Sequence, residues 1–493
     1  MNGYKWIILC GVLCFTPQAL CAQDIGKEMK EFDEFVKAQQ KEFSDFVSEQ
    51  NRQFIQFLKE NWKSYESDQT EDRPKRPEPV APVKIDKQAP LYKPKQIPVG
   101  KIQRIPEVSP SATFPDLTGQ GGALPDADSG ELGFPKGGLG FDFFGISCSV
   151  ELSMKNCVSL SGISEHEIAS GWEKISRQDF HSLVNACLEA KARYQMNDYA
   201  YFLYVEEVAK NLLVRDNEIV LMQAFILCQC GYKVKMARVD GKLALLYASE
   251  DMIYGTTYLT MNGERYYKWG AKVENGTSIY TYTKNFADSK YMFSTKIAGI
   301  PAFYGATKGR ILQSKKYPSL KITSQVYEGL IAFYKSYPQC DLSVYFNAPV
   351  SRTVETSVVE ALRRCVKGKP QVEAANMLID FVQTAFAYQT DGEQFGYEKP
   401  FFVEELFYYP YCDCEDRAFL YAYLVREILN LDVVLLDYPN HVATAVCFTG
   451  AVEGDYVMVN GKKFVICDPT YIGASIGMTM PQFKSVAAKV LMR

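Results

Sequence analysis

An apolar helix followed by short alternating strands occurs twice in this chain of 493 residues, and that order limits the fold more than any other feature. Strands that follow one another directly pair as an antiparallel sheet, and the helices before them cover one of its faces. The pattern therefore predicts an α+β fold with helices packed on an antiparallel β-sheet. The predicted helices lie at 179–194, 201–213, 217–230, 352–366 and 372–388, with one more from Cys414. The predicted strands lie at 232–239, 243–248, 256–261, 265–269, 432–437, 441–448, 456–459 and 463–468.

One cysteine is placed at the start of the last helix. Apolar residues recur at helical spacing from Ala418 to Leu429, and acidic residues occupy the turn before them, so Cys414 lies at or just before the helix N-terminus. Unpaired backbone N–H groups and the helix dipole stabilise a thiolate there. His441 opens a later strand and Asp468 ends another, each 27 residues beyond the previous member. A thiolate, a base and an orienting carboxylate are what nucleophilic cysteine catalysis requires.

Three motifs resemble the transglutaminase-like (papain-like) superfamily, over about residues 350 to 475. They are Asp413-Cys414-Glu415-Asp416-Arg417-Ala418, Asn440-His441-Val442-Ala443 and Asp468-Pro469-Thr470-Tyr471. The resemblance implies a transglutaminase-like core with Cys414 as nucleophile, His441 as base and Asp468 as the group that orients the histidine. The backbone N–H of Cys414 is then an oxyanion donor. Tyr409 and Tyr411, which we expect near the mouth of the pocket, are the candidates for the second oxyanion donor.

Each member of this set also has an ordinary structural interpretation. Cys414 could be a buried core thiol, and Cys412 could be the nucleophile instead, although it precedes the helix and lacks the acidic pair that follows Cys414. His441 could be an ordinary strand-end histidine, and Asp468 a turn aspartate before proline. The three together, in order and on the expected elements, favour a Cys-His-Asp triad.

The two halves resemble copies of one unit. Leu221–Leu227 parallels Ala418–Leu424, and Gly263-Glu-Arg-Tyr-Tyr parallels Gly461-Lys-Lys-Phe-Val. In the first half the cysteine position falls near Asp216 or Asn217, the histidine position near Lys242 and the aspartate position near Trp269. We therefore predict a degenerate transglutaminase-like domain at 142–310 and a catalytic one at 311–493. Chance similarity in the order of helices and strands is the alternative.

Residues 24–66 contain an eleven-residue repeat that predicts one long amphipathic helix. An eleven-residue period is 3.67 residues per turn, so the apolar stripe stays nearly straight on one face and needs a covering surface. We expect self-association, as in a coiled coil, or docking on a partner; folding back onto the chain's own globular body is the alternative. The repeated apolar positions are Phe32, Phe35 and Val36, then Phe43, Phe46 and Val47, then Phe54, Phe57 and Leu58.

Prolines and glycines dominate residues 67–141, which predicts an extended linker between this helix and the rest of the chain. Residues 1–22 have the features of a signal peptide: Lys5, a ten-residue apolar core from Trp6 to Phe15, and small residues before a cut after Ala22. A retained membrane anchor and a lipoprotein modified at Cys21 are the alternatives. We therefore expect an exported protein that is periplasmic, secreted or on the cell surface.

The net charge of −4 and the absence of basic blocks argue against nucleic-acid binding. No cysteine or histidine cluster has metal-ligand spacing, so neither a metal, calcium dependence nor a cofactor is expected. The preferred hypothesis is an exported cysteine peptidase or amidase that acts on protein or peptide amide bonds through a thioester. Transglutaminase-type acyl transfer is one alternative. A non-enzymatic surface or assembly protein with a relic triad is the other.

Overall fold

A computed structural model describes residues 47–60, 62–68, 70–71, 94–105, 139–150 and 158–493, together with Glu34 and Asp45. These residues form a mixed α+β fold in two lobes, each built around a six-stranded sheet with helices packed on it. The predicted α+β class is confirmed at this level. The predicted signal peptide lies outside the described residues.

The helices and strands are as follows. The helices are α1 (47–58), α2 (Glu165–Ser176), α3 (Phe180–Arg193), α4 (Asp198–Leu212), α5 (Asp216–Gln229), α6 (Glu328–Ser336), α7 (Leu342–Asn347), α8 (Arg352–Val354), α9 (Glu360–Val366), α10 (Gln371–Ala385), α11 (Asp391–Gln394), α12 (Val403–Leu406) and α13 (Cys414–Leu429). A π-helical turn, Glu355–Val359, joins α8 to α9, and a 3-10 turn spans Pro481–Phe483. The strands are β1 (Lys63–Glu66), β2 (Val99–Arg104), β3 (Leu139–Phe143), β4 (Ile146–Val150), β5 (Val234–Val239), β6 (Lys242–Ser249), β7 (Tyr258–Met261), β8 (Glu264–Lys268), β9 (Ser278–Thr281), β10 (Thr307–Gln313), β11 (Lys321–Tyr327), β12 (Ala387–Tyr388), β13 (Tyr411–Cys412), β14 (Asp432–Tyr438), β15 (His441–Cys447), β16 (Tyr456–Val459), β17 (Lys462–Cys467) and β18 (Ala488–Met492).

The two sheets share one pattern of connection. The first sheet has the order β1-β9-β5-β6-β8-β7, and the second has the order β16-β17-β15-β14-β18-β2. In the first lobe α5 is followed by β5 to β8, and in the second α13 is followed by β14 to β17. In both sets the second strand lies between the first and the fourth, and the third strand lies beyond the fourth. Duplication of one ancestral unit would produce this arrangement, and the duplication stays a prediction.

The third of the eleven-residue repeats lies on the first lobe. Phe54 is buried, with its ring centroid 4.9 Å from that of Trp172 and 5.1 Å from that of Phe286. Asn51, near the end of the second repeat, accepts through Oδ1 hydrogen bonds from Trp172 Nε1 at 2.8 Å and from Gln229 Nε2 at 3.1 Å. For the third repeat the fold-back alternative holds rather than docking on a partner. Most of the first two repeats lies outside the described residues, and their self-association stays a prediction.

Several stretches differ from their predicted structure. Residues 139–141, expected as linker, belong to β3, and Ala387–Tyr388, expected at the end of a helix, is the strand β12. Lys63–Glu66, expected at the end of the long helix, is the strand β1, which pairs with the edge strand β9. Residues 94–105, expected as linker, are ordered against the second lobe, where β2 runs parallel to β18. Ile97 and Ile105 are both buried there, so two apolar side chains anchor this segment. The strand was not predicted because the prolines around it are typical of a linker.

The described helices include none with both the length and the apolar character needed to cross a membrane. Among the cysteines in the described part of the chain, none forms a disulfide.

Candidate active site at the start of helix α13

Helix α13 and the hairpin after it bring two of the predicted residues to the same edge of the second lobe. The helix begins at Cys414 and ends at Asn430, whose left-handed conformation (φ 52°) turns the chain back into β14. Sixteen helical residues span about 24 Å, and the seven residues of β14 span about 23 Å. Because β14 returns over a length close to that of the helix, its far end and His441, the first residue of β15, lie near the start of the helix.

His441 and Asp468 form a buried pair. His441 Nε2 lies 2.9 Å from Asp468 Oδ2, and the two side chains are 0% and 2% exposed. Asp468 Oδ1 also accepts the backbone N–H of Thr470 at 2.9 Å, which fixes the carboxylate. The His441 ring stacks at 16° to that of Phe483, with the centroids 5.0 Å apart.

The other ring nitrogen of His441, Nδ1, is buried and has no hydrogen-bond partner among the described residues. When Nε2 donates its proton to the carboxylate, Nδ1 presents a lone pair. A buried lone pair without a hydrogen bond raises the free energy of the folded state. Nδ1 is therefore the ring nitrogen of this pair that can accept a further hydrogen bond.

Cys414 is the first residue of α13, as the sequence predicted, and its side chain is fully buried. Its Sγ donates to Glu415 Oε2 at 3.1 Å. The structure thus brings His441 and Asp468 together but does not join Cys414 to His441 by a hydrogen bond. An ionised Glu415 so close to the sulfur repels a thiolate, which opposes the stabilisation that the helix N-terminus provides.

Cys412, the alternative nucleophile, lies in β13, which pairs in parallel with β12. Its Sγ points to the carbonyl oxygen of Ala387 at 3.8 Å, and burial raises the pKa of the thiol to about 11. Tyr409 packs on Phe401 with a centroid distance of 5.0 Å, and Tyr411 is 40% exposed. These contacts identify no second oxyanion donor.

Tyr388 is a neighbour of the cysteine that sequence reasoning missed. Burial, followed by the proximity of Cys414 and Asp413, raises the pKa of Tyr388 above its usual range. The guanidinium carbon of Arg417 lies 5.3 Å from the centre of the Tyr388 ring. The short parallel pairing of β12 with β13 places Tyr388 there, and a two-strand contact of two residues leaves no pattern in the sequence.

Five acidic side chains also surround the start of α13, and spacing along the chain did not reveal them as a group. They are Asp391, Glu398, Asp413, Glu415 and Asp416. Burial, with the neighbouring carboxyl groups, raises the pKa of Asp391 to about 10 and that of Asp416 to about 8. The pKa of Asp413 is raised well above its ordinary value by burial and then by Glu415. The edge of the lobe that holds Cys414 is therefore rich in carboxyl groups, and at least three of them hold their protons more tightly than usual.

The first lobe shows where the corresponding positions lie. Asp216 opens α5 as Cys414 opens α13, and Lys242 opens β6 as His441 opens β15. Lys242 Nζ and Asp216 Oδ2 lie 4.0 Å apart on the exposed surface. Trp269, just beyond β8, lies near the position that corresponds to Asp468. Its Nε1 donates a hydrogen bond to Glu206 Oε2 at 2.8 Å. In the first lobe, the first residue of the helix and the first residue of the second strand are therefore within reach of each other through the lysine side chain.

A cavity of about 440 Å³ lies beside the β14–β15 turn, between that turn and the segment after α6. Its lining includes Tyr438 and Pro439, just before His441, and Asp341 and Lys489 across the opening. The Tyr438 hydroxyl is buried without a hydrogen-bond partner among the described residues. The cavity therefore offers polar groups of both charges close to the histidine in sequence.

Comparison of this chain with protein-family models, with curated proteins and with solved structures found no match in any of the three. The chemistry of the site consequently has to be argued from its own residues.

Proposed function

We propose that this chain is an exported cysteine-dependent hydrolase of protein or peptide amide bonds, with a transglutaminase-like catalytic core in the second lobe. The observation that carries the proposal is the buried His441, held by Asp468 through Nε2, with Nδ1 unpartnered. Cys414, at the start of α13, supplies the nucleophile. The matching contact between Asp216 and Lys242 in the first lobe supports the approach of sulfur to imidazole.

The first half of the reaction forms a thioester. Nδ1 of His441 takes the proton from Cys414 Sγ as the sulfur bonds to the amide carbon. The negative charge moves to the carbonyl oxygen, and the backbone N–H of Cys414 at the helix start donates a hydrogen bond to it. The carbon–nitrogen bond then breaks, and the amine leaves with the proton from Nδ1.

The second half releases the acid. Water attacks the thioester carbonyl and Nδ1 accepts its proton. The carbon–sulfur bond then breaks, and the proton passes from Nδ1 to Cys414 Sγ, which regenerates the thiol and the neutral imidazole. Asp468 stabilises the imidazolium in each half. If a primary amine replaces water, the same steps give acyl transfer.

The site as described is a closed state. Cys414 Sγ donates to Glu415, and rotation about its single χ1 bond is the smallest change that redirects the sulfur. Cys414 and His441 are both fully buried, so a substrate also has to displace covering chain. The neighbouring segment that includes Tyr388 and Asp391 is the candidate cover.

The second candidate function is a non-enzymatic surface or assembly protein with a relic triad. It is favoured by the burial of Cys414 and by the Cys414–Glu415 hydrogen bond, since a thiol that never ionises needs neither access nor a base. The two functions differ in the reactivity of one sulfur.

An electrophilic peptide probe that acylates or alkylates thiols distinguishes them. We expect the full chain to be labelled at Cys414, with labelling lost in Cys414→Ala and retained in the matched control Cys412→Ala, whose thiol stays protonated near neutral pH. Labelling that survives Cys414→Ala contradicts the assignment of the nucleophile. Incorporation of a fluorescent primary amine into a protein substrate, dependent on Cys414, identifies acyl transfer.

A further inference from the structure

Four carboxyl groups from two stretches of the chain, 391–398 and 413–415, converge beside the start of α13. Asp391 begins α11, Glu398 lies four residues after the end of that helix, and Asp413 and Glu415 flank Cys414. One carboxylate oxygen from each of the four lies within 4.8 Å of the corresponding oxygen of every other. Oxygens that bind one Ca²⁺ ion at 2.3–2.6 Å are separated by at most about 5 Å. The spacing of the four oxygens therefore fits a single ion between them.

A second observation points to a ligand. Asp413 is 2% exposed, and its Oδ1 has no hydrogen-bond partner among the described residues. A carboxylate oxygen removed from water without a partner is costly, and a bound cation satisfies it directly. The unpartnered oxygen belongs to the residue that precedes α13, so its position is fixed by the helix.

The basic side chains nearest along the chain form hydrogen bonds with groups outside these four carboxyl groups. Lys399 Nζ bonds Glu405 Oε1 at 2.5 Å, and the Arg417 guanidinium donates to the carbonyl oxygen of Phe386 at 3.0 Å. Glu398 is half-buried, whereas Asp391, Asp413 and Glu415 are buried. Of the four carboxyl groups, Glu398 is therefore the one most open to solvent.

We propose that Asp391, Glu398, Asp413 and Glu415 form a binding site for one hard divalent cation, Ca²⁺ by the ligand spacing. Oxygen-only ligands select Ca²⁺ or Mg²⁺ over softer metals, and Mg²⁺ requires a shorter, near-octahedral set. The ion ties the 391–398 segment to the start of α13. This site does not depend on the proposed hydrolase activity.

Calcium chloride alone is the probe for this site. The full chain, stripped with a chelator, is titrated calorimetrically, and we expect one Ca²⁺ per chain. The same ion should raise the melting temperature by several degrees, because a ligand that binds only the folded state stabilises it. Glu398→Gln should weaken binding at least about tenfold, since a site's affinity follows its number of charged ligands. Glu398 is half-buried and outside every helix, so this variant is expected to fold.

Two variants serve as controls. Glu404→Gln changes a fully buried carboxyl group outside the four and should leave the Ca²⁺ affinity unchanged. Cys414→Ala removes the thiol and should also leave it unchanged, which separates the cation site from the proposed nucleophile. Asp413→Asn should abolish the thermal shift with Ca²⁺, with circular dichroism to show that the helix content is retained.

Three results would overturn the proposal. One is the absence of Ca²⁺ binding at millimolar concentration, together with a higher melting temperature for Asp413→Asn than for the wild type. Such a result would indicate that the carboxyl groups share protons with one another and hold no cation. Another is Ca²⁺ affinity that is unchanged in Glu398→Gln. The last is preference for Zn²⁺ that Cys414→Ala removes, because the sulfur and the adjacent carboxylates would then be the ligands.

Discussion

At the scale of single residues, the contact between His441 and Asp468 decides what the site can do. In Asp468→Asn the amide can present its NH₂ group to Nε2, which stabilises the wrong tautomer and removes the charge that offsets an imidazolium. We expect the rate of Cys414 acylation by an amide or ester substrate to fall by about 10²- to 10⁴-fold. The exposed Asp432→Asn is the control and should react at the wild-type rate. Equal rates for Asp468→Asn and the wild type would argue against a role for Asp468 in orienting the histidine.

Glu404 makes stability depend on pH. Burial raises the pKa of this carboxyl group from 4.5 to about 7, and its Oε1 accepts the backbone N–H of Ser351 at 2.5 Å. The folded state holds the proton more tightly than the unfolded chain, so the stabilisation is complete below about pH 4.5 and is lost as the pH rises to about 7. The loss is about 3 kcal/mol at 1.36 kcal/mol for each pKa unit.

Glu404→Gln keeps an oxygen for the Ser351 N–H but cannot ionise. Urea unfolding at pH 5 and pH 7.5 should therefore show a smaller loss of stability in Glu404→Gln than in the wild type. Equal losses in the two proteins would show that Glu404 does not titrate in this range.

At the scale of elements, α13 and its return into β14 position the candidate nucleophile. Asn430 ends the helix at φ 52°, a conformation that asparagine and glycine adopt readily and that other residues resist. Asn430→Ala should destabilise the protein by about 1 kcal/mol, and Asn430→Gly should leave stability nearly unchanged. Chemical unfolding of the two variants measures this, and equal destabilisation by both would show that the side chain of Asn430, rather than its backbone, holds the turn.

Helix α1 is joined to the first lobe through one aromatic side chain in particular. Phe54→Ala removes a ring that packs on Trp172 and Phe286, and should destabilise the protein by about 3 kcal/mol. The control Val214→Ala alters a side chain that is 96% exposed and should change stability by less than about 0.5 kcal/mol. Thermal unfolding of both variants tests it, and no shift for Phe54→Ala would mean that α1 does not pack on this lobe in solution.

Regular elements were predictable because their periodicity is local. The start of α13 at Cys414, the start of β15 at His441 and the α+β class all follow from alternation and helical spacing. The strand β2 was missed because its partner β18 lies at the other end of the chain and proline-rich sequence surrounds it. The carboxylate cluster was missed because its members lie on segments that only the folded chain brings together. The Cys414–Glu415 hydrogen bond joins adjacent residues and depends on side-chain rotamers, which the sequence does not specify.

At the scale of the whole molecule, two lobes of similar connection carry different residues at equivalent places. In the first lobe, Asp216 and Lys242 meet at an exposed surface, and in the second, Cys414 and His441 are buried beneath covering chain. Equivalent positions thus hold a surface ion pair in the first lobe and two buried side chains in the second. The proposed hydrolase needs that enclosure to open, and the relic interpretation does not.

The most direct test of the central claim is the rate at which iodoacetamide alkylates Cys414 near pH 7, followed by mass spectrometry of the peptide that contains it. If His441 Nδ1 accepts the thiol proton, the wild type should react at least about tenfold faster than His441→Ala, since the thiolate is the reactive form. Equal rates in the two proteins, or no alkylation of Cys414 in the folded wild type, would contradict the claim.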